Sequence, residues 1–147
     1  MALERVQDPG NVGTVIRSAA AFGFDGVLLV DCADPFSGKA VRASMGAVCR
    51  VPVRTFSKTE ELFDFLRREK IRSVAACLGE RAVPILDTDL ESPLCILIGN
   101  EGKGLSREAV EKADLVSVIP MEDMESLNAA AAAAIFLWEV KRRSEKE

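Results

Sequence analysis

The segment LCILIGN (94–100) is apolar at five consecutive positions before it reaches a glycine. A run this short and this evenly apolar reads as a strand covered on both faces, and therefore as a central one. Four other short runs have a related character: GVLLVD (26–31), RVPVRTF (50–56), RSVAACL (72–78) and LVSVIP (115–120). Helical patterns lie between them. Asn11 is placed to cap a helix with apolar positions Val12, Val15, Ile16, Ala19 and Phe22, which Gly23 ends. Ser57 with Glu60 reads as a capping box before ELFDFLRRE, and Ser106 with Glu108 opens REAVEKA. A last helix is expected from about Ser126 to Arg143, with three basic residues in its final turn. Alternating elements with short connections predict an α/β fold, a mostly parallel sheet with helices on both faces. There is no internal repeat or linker, so residues 1–147 read as one domain. Only ALERVQ precedes the Asp8-Pro9-Gly10 turn, too little for a complete strand and lead-in, as though the chain were cut at the edge of a domain.

Composition narrows the chemistry. With 48% hydrophobic and 29% charged residues the chain resembles an ordinary globular domain. No apolar run approaches the length of a membrane span, and no signal peptide opens the sequence. The four cysteines are scattered without a CxxC pair and there is no histidine. A Cys/His zinc site is therefore not expected, and the cysteines read as reduced, mostly buried residues of a cytoplasmic protein. The missing histidine also removes the commonest general base and any Ser-His or Cys-His nucleophile. Net charge is −4, so the whole chain does not attract polyanions. One segment differs: residues 37–55 carry Lys39, Arg42, Arg50 and Arg54 and no acid. That segment is either a solvated face or a phosphate-facing patch.

Three stretches carry candidate chemistry, all at strand ends or at helix starts following them, where open α/β sheets bind ligands. In DPGNVGTVIRSAAAFGF (8–24), Thr14, Arg17, Ser18 and Ala21 fall on one side of the helix, opposite the apolar stripe. The helix start attracts anions, and Arg17 stands one turn above it, either as the structural partner of a carboxylate or as a ligand-facing cation. In LIGNEGKGLS (97–106), three glycines predict a loop whose backbone a ligand approaches closely. It is not a P-loop, because Leu105 and not lysine follows Gly104. Glu101 argues against a triphosphate and suits a cationic or hydroxyl-bearing ligand. In VIPMEDMESLNAAAAAAIFLWEV (118–140), six consecutive alanines predict a helix buried all round, against the core or another subunit.

Taken together, NVGTVIR, LIGNEGKGL and IPM…ESLN, in this order and spacing, resemble the three motifs of the SpoU, or TrmH-like, RNA ribose 2′-O-methyltransferases of the SPOUT superfamily. VRASMGAVCRVPV (41–53) is similar to that family's stretch between motifs one and two, so the resemblance covers essentially the whole chain. It implies a deep trefoil knot near the C terminus, S-adenosylmethionine held in the knot, a homodimer, and tRNA or rRNA as the methyl acceptor, with no metal. By position it carries over Asn11, Arg17, Glu101, Ser126 and Asn128 as catalytic residues. Leu78, Gly79, Gly99, Asn100, Gly102, Ile119, Met121 and Leu127 become cofactor contacts, and Arg17 joins Lys39, Arg42 and Arg50 on RNA. The chain departs from the pattern in two places. Loop 121–126 is one residue short, with Asp123 and Met124 where a glycine is usual, and Ala129-Ala130 replaces a Val-Ser pair. Many members also carry an N-terminal RNA-binding domain, which is absent from this sequence.

A guanidinium is effectively never deprotonated, so Arg17 is expected to anchor phosphate and stabilise developing oxyanion charge, not to act as a base. Ser126 and Asn128 would orient neighbouring groups. Glu101 would either accept the proton or hold Arg17 and Asn11 in place. The rival from another class is a non-catalytic RNA- or cofactor-binding subunit of the same fold. A nucleotide phosphohydrolase would need a phosphate loop and metal carboxylates that the sequence lacks.

Overall fold

The computed structural model describes residues 1–124 and 126–145. Among them seven strands form one sheet: β1 (Ala2–Glu4), β2 (Val27–Val30), β3 (Val53–Phe56), β4 (Arg72–Ala76), β5 (Val83–Pro84), β6 (Leu94–Ile98) and β7 (Leu115–Val118). Their spatial order is β3-β2-β1-β6-β4-β7-β5 and every ladder is parallel. The helices are α1 (Pro9–Ala21), α2 (Gly38–Ala43), α3 (Thr59–Arg68), α4 (Arg107–Lys112) and α5 (Ala129–Ser144), with a 3-10 turn at Ala47–Cys49. The apolar run expected to be central is β6, the middle strand of the seven.

Period-two alternation divides the core between the two faces of the sheet. Leu3, Leu29, Ile96 and Ile98 point to one side, where Val12, Val15 and Ile16 of α1 and Ala133, Phe136 and Leu137 of α5 cover them. Ala2, Cys95 and Leu97 point to the other, against Leu62, Phe63 and Leu66 of α3 and Ala109 of α4. Against α1, α2 lies in backbone contact: a Cβ on Gly13 would stand 2.2 Å from the Ala40 carbonyl oxygen. No described helix is long and apolar enough to cross a membrane.

Several expectations are corrected. The six residues before Asp8 do contain a strand: β1 is only three residues long, yet it sits between β2 and β6 with both faces buried. The cap of α1 is Asp8, whose carboxylate accepts the Gly10 N–H at 2.9 Å, so Asn11 lies inside the first turn. The helix after β3 begins at Thr59 with no side-chain cap; Glu61, not Glu60, reaches back to the Ser57 N–H. Helix α5 starts at Ala129, three residues later than expected, capped by Asn128. Its alanines are buried on one face only: Ala129, Ala130 and Ala133 are covered, whereas Ala131 is exposed. Of the cysteines Cys95 alone is fully buried and Cys49 is exposed. Gly23 and Ser106 act as expected, closing α1 at φ +75 and capping α4.

Two buried carboxylates fasten the helices. Glu139 on α5 is 6% exposed and accepts from Arg142 at 2.7 and 2.9 Å and from Arg143 at 2.7 Å. Arg143 also donates to the carbonyls of Ile85, Leu86 and Thr88, pinning α5 to the segment around β5. The Arg142 hydrogen bond, against the opposing effect of burial and with help from Arg143, brings the Glu139 carboxyl down to about 2. Glu4, at the end of β1, also titrates below its ordinary value. Burial raises it, but hydrogen bonds from the Ser106 N–H and from the Thr59 and Ser106 hydroxyls, with the Arg5 charge, outweigh that.

Both folded values are depressed, so their stabilisation is complete above the ordinary 4.5 and is lost as pH falls through the folded values. The melting temperature should stay flat from neutrality to about pH 5 and fall between about pH 4.5 and 2. Glu139→Gln should remove part of that fall, which thermal melts across the acid range would read.

Candidate functional site

The carboxyl ends of β4, β6 and β7 open into a cleft of about 370 Å³. Ala76 to Leu78 form one wall, the glycine loop after β6 a second, and Ser117 to Met121 a third. Ala129, Ala132 and Phe136 of α5 line its apolar side, and Ser126 and Leu127 its rim. The alanine run was the only sequence signal for the α5 wall: small side chains there leave room for a ligand.

The glycine loop is built by its own asparagine. Asn100 Oδ1 accepts the Gly102 and Lys103 N–H groups, each at 2.9 Å, and its Nδ2 donates to the Arg5 carbonyl at 2.8 Å. Backbone bonds between Asn100 and Gly104 (3.1 and 2.9 Å) close the turn. A Cβ on Gly99 would stand 2.1 Å from the Leu105 nitrogen. The absence of a side chain there is required by the loop's own crossing, a reason the sequence does not show.

This turn puts Glu101 at its tip, where Oε1 accepts from Asn11 Nδ2 at 3.0 Å. Asn11 Oδ1 accepts from Asn128 Nδ2 at 3.1 Å, and Asn128 Oδ1 accepts the Ala130 and Ala131 N–H groups at 2.9 and 3.1 Å. The chain of bonds has a direction. Because the helix cap needs the Asn128 oxygen, its NH₂ must face Asn11, and the Asn11 NH₂ must then face the carboxylate. Residues 11, 101 and 128, far apart in sequence, thus meet in one connected group beside the cleft.

The other expected site residues are placed as follows. Leu78, Gly99, Asn100, Glu101, Gly102, Ile119, Met121, Ser126 and Leu127 line the cleft; Gly79 does not. Arg17 is exposed on the outer side of α1, with Thr14 and Ala21, and among the described residues it has no hydrogen bond or ion pair to a carboxylate. Glu101 therefore holds Asn11 but not Arg17. The shortened loop 121–126 lies partly outside the described residues, at Glu125. The basic segment divides. Lys39 donates to Asp8 at 2.7 Å, and Arg42 and Arg50 are exposed. Arg54 instead stacks over Phe56 and Phe65, 5.0 and 4.7 Å from their ring centres, on the α3 side. Among the described residues no group of three or more metal-ligating side chains comes together.

Comparison with known proteins fits this arrangement. The chain is 35% identical over 143 residues to the Bacillus subtilis 23S rRNA (guanosine(2553)-2'-O)-methyltransferase RlmP, covering 96% of this chain and 57% of that protein. The AdoMet-bound rRNA methyltransferase of Sinorhizobium meliloti aligns with a TM-score of 0.86 at 41% identity, over 97% of this chain and 55% of that one. The AdoMet complex of the SpoU methyltransferase AviRb from Streptomyces viridochromogenes gives 0.91 at 33% identity, over 99% and 60%. The chain thus spans little more than half the length of these relatives. The sequence model of the SpoU rRNA methylase family matches residues 1–138, and the chain belongs to that family.

Proposed function

We propose that this domain transfers a methyl group from S-adenosylmethionine to a ribose 2′-hydroxyl of tRNA or rRNA. The observation that carries the reading is the cleft at the carboxyl ends of β4, β6 and β7, with the Asn128–Asn11–Glu101 group beside it. The residues fit the cofactor. The volume suits a small molecule, the α5 wall is apolar, three loops line the remaining sides, and a carboxylate stands among them for a cationic sulfonium. Bound there, S-adenosylmethionine would supply an electrophilic methyl on a sulfonium.

The chain's own residues would do the rest. Leu78, Ile119, Met121 and Leu127 enclose the cofactor, and the loop 99–104 grips it through backbone groups. Arg17, exposed and uncommitted among the described residues, anchors a substrate phosphate and stabilises charge growing on the ribose oxygen. Among the described residues only Oε1 of Glu101 has a side-chain partner, so Oε2 retains capacity to accept the hydroxyl proton. Ser126 at the rim orients the incoming ribose. Much of the rate would come from positioning the two substrates together.

We further infer a homodimer, which the apolar outer side of α5 supports: Trp138 is 51% and Ile135 39% exposed, and Phe22 of α1 packs on Trp138 with ring centres 5.9 Å apart. The trefoil knot is inferred from family membership, and a parallel order that inserts β4 between β6 and β7 accommodates it. A cytoplasmic location, where tRNA and rRNA are processed, follows from the same reading. Residues 1–147 would be the catalytic domain.

Two measurements test this. Ala132→Phe should fill the cleft and abolish S-adenosylmethionine binding by calorimetry, while Lys103→Ala, on the exposed part of the loop, should bind as wild type. Methyl transfer onto bulk tRNA and rRNA, followed by digestion to nucleosides, should yield 2′-O-methylribose. In that assay Arg17→Ala should lose on the order of 10²–10³ in turnover with cofactor affinity and melting temperature unchanged. Arg17→Lys, lacking the planar fork, should recover only part. Cofactor binding without transfer to any RNA would favour the non-catalytic subunit.

A further inference from the structure

The connection from β2 to α2 presents a phenylalanine to solvent. Phe36 is 63% exposed, although the residues around it are fixed. Pro35 is buried, Asp34 Oδ1 accepts the Phe36 N–H at 2.8 Å, and the Asp34 carbonyl accepts the Ser37 N–H at 3.2 Å. Ser37 in turn caps α2. A phenylalanine just before a helix cap commonly folds down on the fourth helical residue, here Val41. At this exposure most of the ring remains outside such a contact.

Cations gather beside it. A Cβ on Gly38 would stand 3.1 Å from Arg42 Nη1, so the Arg42 guanidinium lies over the first turn of α2, next to Phe36 in the chain. Lys39 extends from the same turn to Asp8 at the start of α1, the helix that carries Asn11 and Arg17. Asp8 offsets part of the Lys39 charge, whereas Arg42 has no carboxylate partner among the described residues. An exposed aromatic ring on a hydrogen-bonded turn, flanked by exposed cations, is the combination that binds unpaired nucleotides: the ring stacks on a base while the cations meet phosphates.

We propose that Phe36 is a stacking platform for an unpaired base of the RNA substrate, with Arg42 and Lys39 on the adjoining phosphates. The proposal rests on RNA being the methyl acceptor. It adds that the RNA is bound as a single-stranded loop or end along the α1–α2 side, and that stacking contributes to affinity without charge.

The test is anisotropy binding of a labelled single-stranded oligouridylate and of bulk tRNA to the full chain over a salt series, with S-adenosylmethionine calorimetry on the same preparations. Phe36→Ala should weaken RNA binding about ten-fold at every salt concentration and leave the salt slope unchanged. Phe36→Trp should restore affinity. Arg42→Ala should instead reduce the slope by about one. All variants should bind the cofactor as wild type does. Equal RNA affinity of Phe36→Ala and wild type would overturn the stacking role alone, as would a loss that Phe36→Trp does not repair. A wild-type chain that takes the cofactor but no RNA would overturn the RNA reading and this proposal with it. A change in oligomeric state on Phe36→Ala with RNA affinity intact would assign the ring to a protein interface and overturn the proposal.

Discussion

Glu4 is a carboxylate 2% exposed at the end of a three-residue strand, and two distant segments of the chain converge on it. Oε1 accepts from the Thr59 hydroxyl at 2.5 Å and the Ser106 hydroxyl at 2.7 Å, and Oε2 accepts the Ser106 N–H at 2.6 Å. Left unpaired, a buried charge would be costly; each hydrogen bond to it contributes about 1.5–3 kcal/mol. Ser106 is where the glycine loop ends and α4 begins. The next residue, Arg5, held at φ +54, offers its carbonyl to Asn100, where the loop starts. Two consecutive residues, the last of β1 and the one that follows it, therefore hold both ends of the loop that carries Glu101.

From the other side, α5 completes the same arrangement. Its cap determines which way the Asn128 amide faces, and this propagates through Asn11 to the carboxylate. No residue in that series is buried in the core, so its order depends on the rigidity of the elements at its two ends. Those are the clamped loop and a helix pinned at its far end by the Glu139–Arg143 contacts with the segment after β5. A polar group assembled in this way can meet substrate without having to fold around it.

Five of the seven strands, the central β6 among them, and four of the five helices are legible in the sequence, as are the loops around the cleft; the short α2 and β5 are not. What escaped it has physical causes. β1 is too short to show a period, and only its neighbours β2 and β6 make it a strand. Asp8 and Asn11 are both good caps, and the proline at the first helical position decides for Asp8. That frees Asn11 for Glu101, a contact across 90 positions that no local pattern encodes. Glu4 reads as one more charged residue, because its partners lie 55 and 102 positions away. The alanine run predicts burial all round because composition carries no direction; the covered face is fixed only once the sheet is in place. The four cations of residues 37–55 look alike in sequence, but strand alternation sends Arg54 to the opposite face from the α1–α2 pair.

The clamp is tested most directly by amide hydrogen exchange on wild type and Glu4→Gln. If Glu4 holds the loop, the N–H groups of Gly102, Lys103 and Ser106 exchange faster in the variant. The ladder amides joining β2 to β3 should keep their protection, showing that the domain remains folded. Unchanged protection at Ser106 and in the loop, in a variant that folds, would contradict the account.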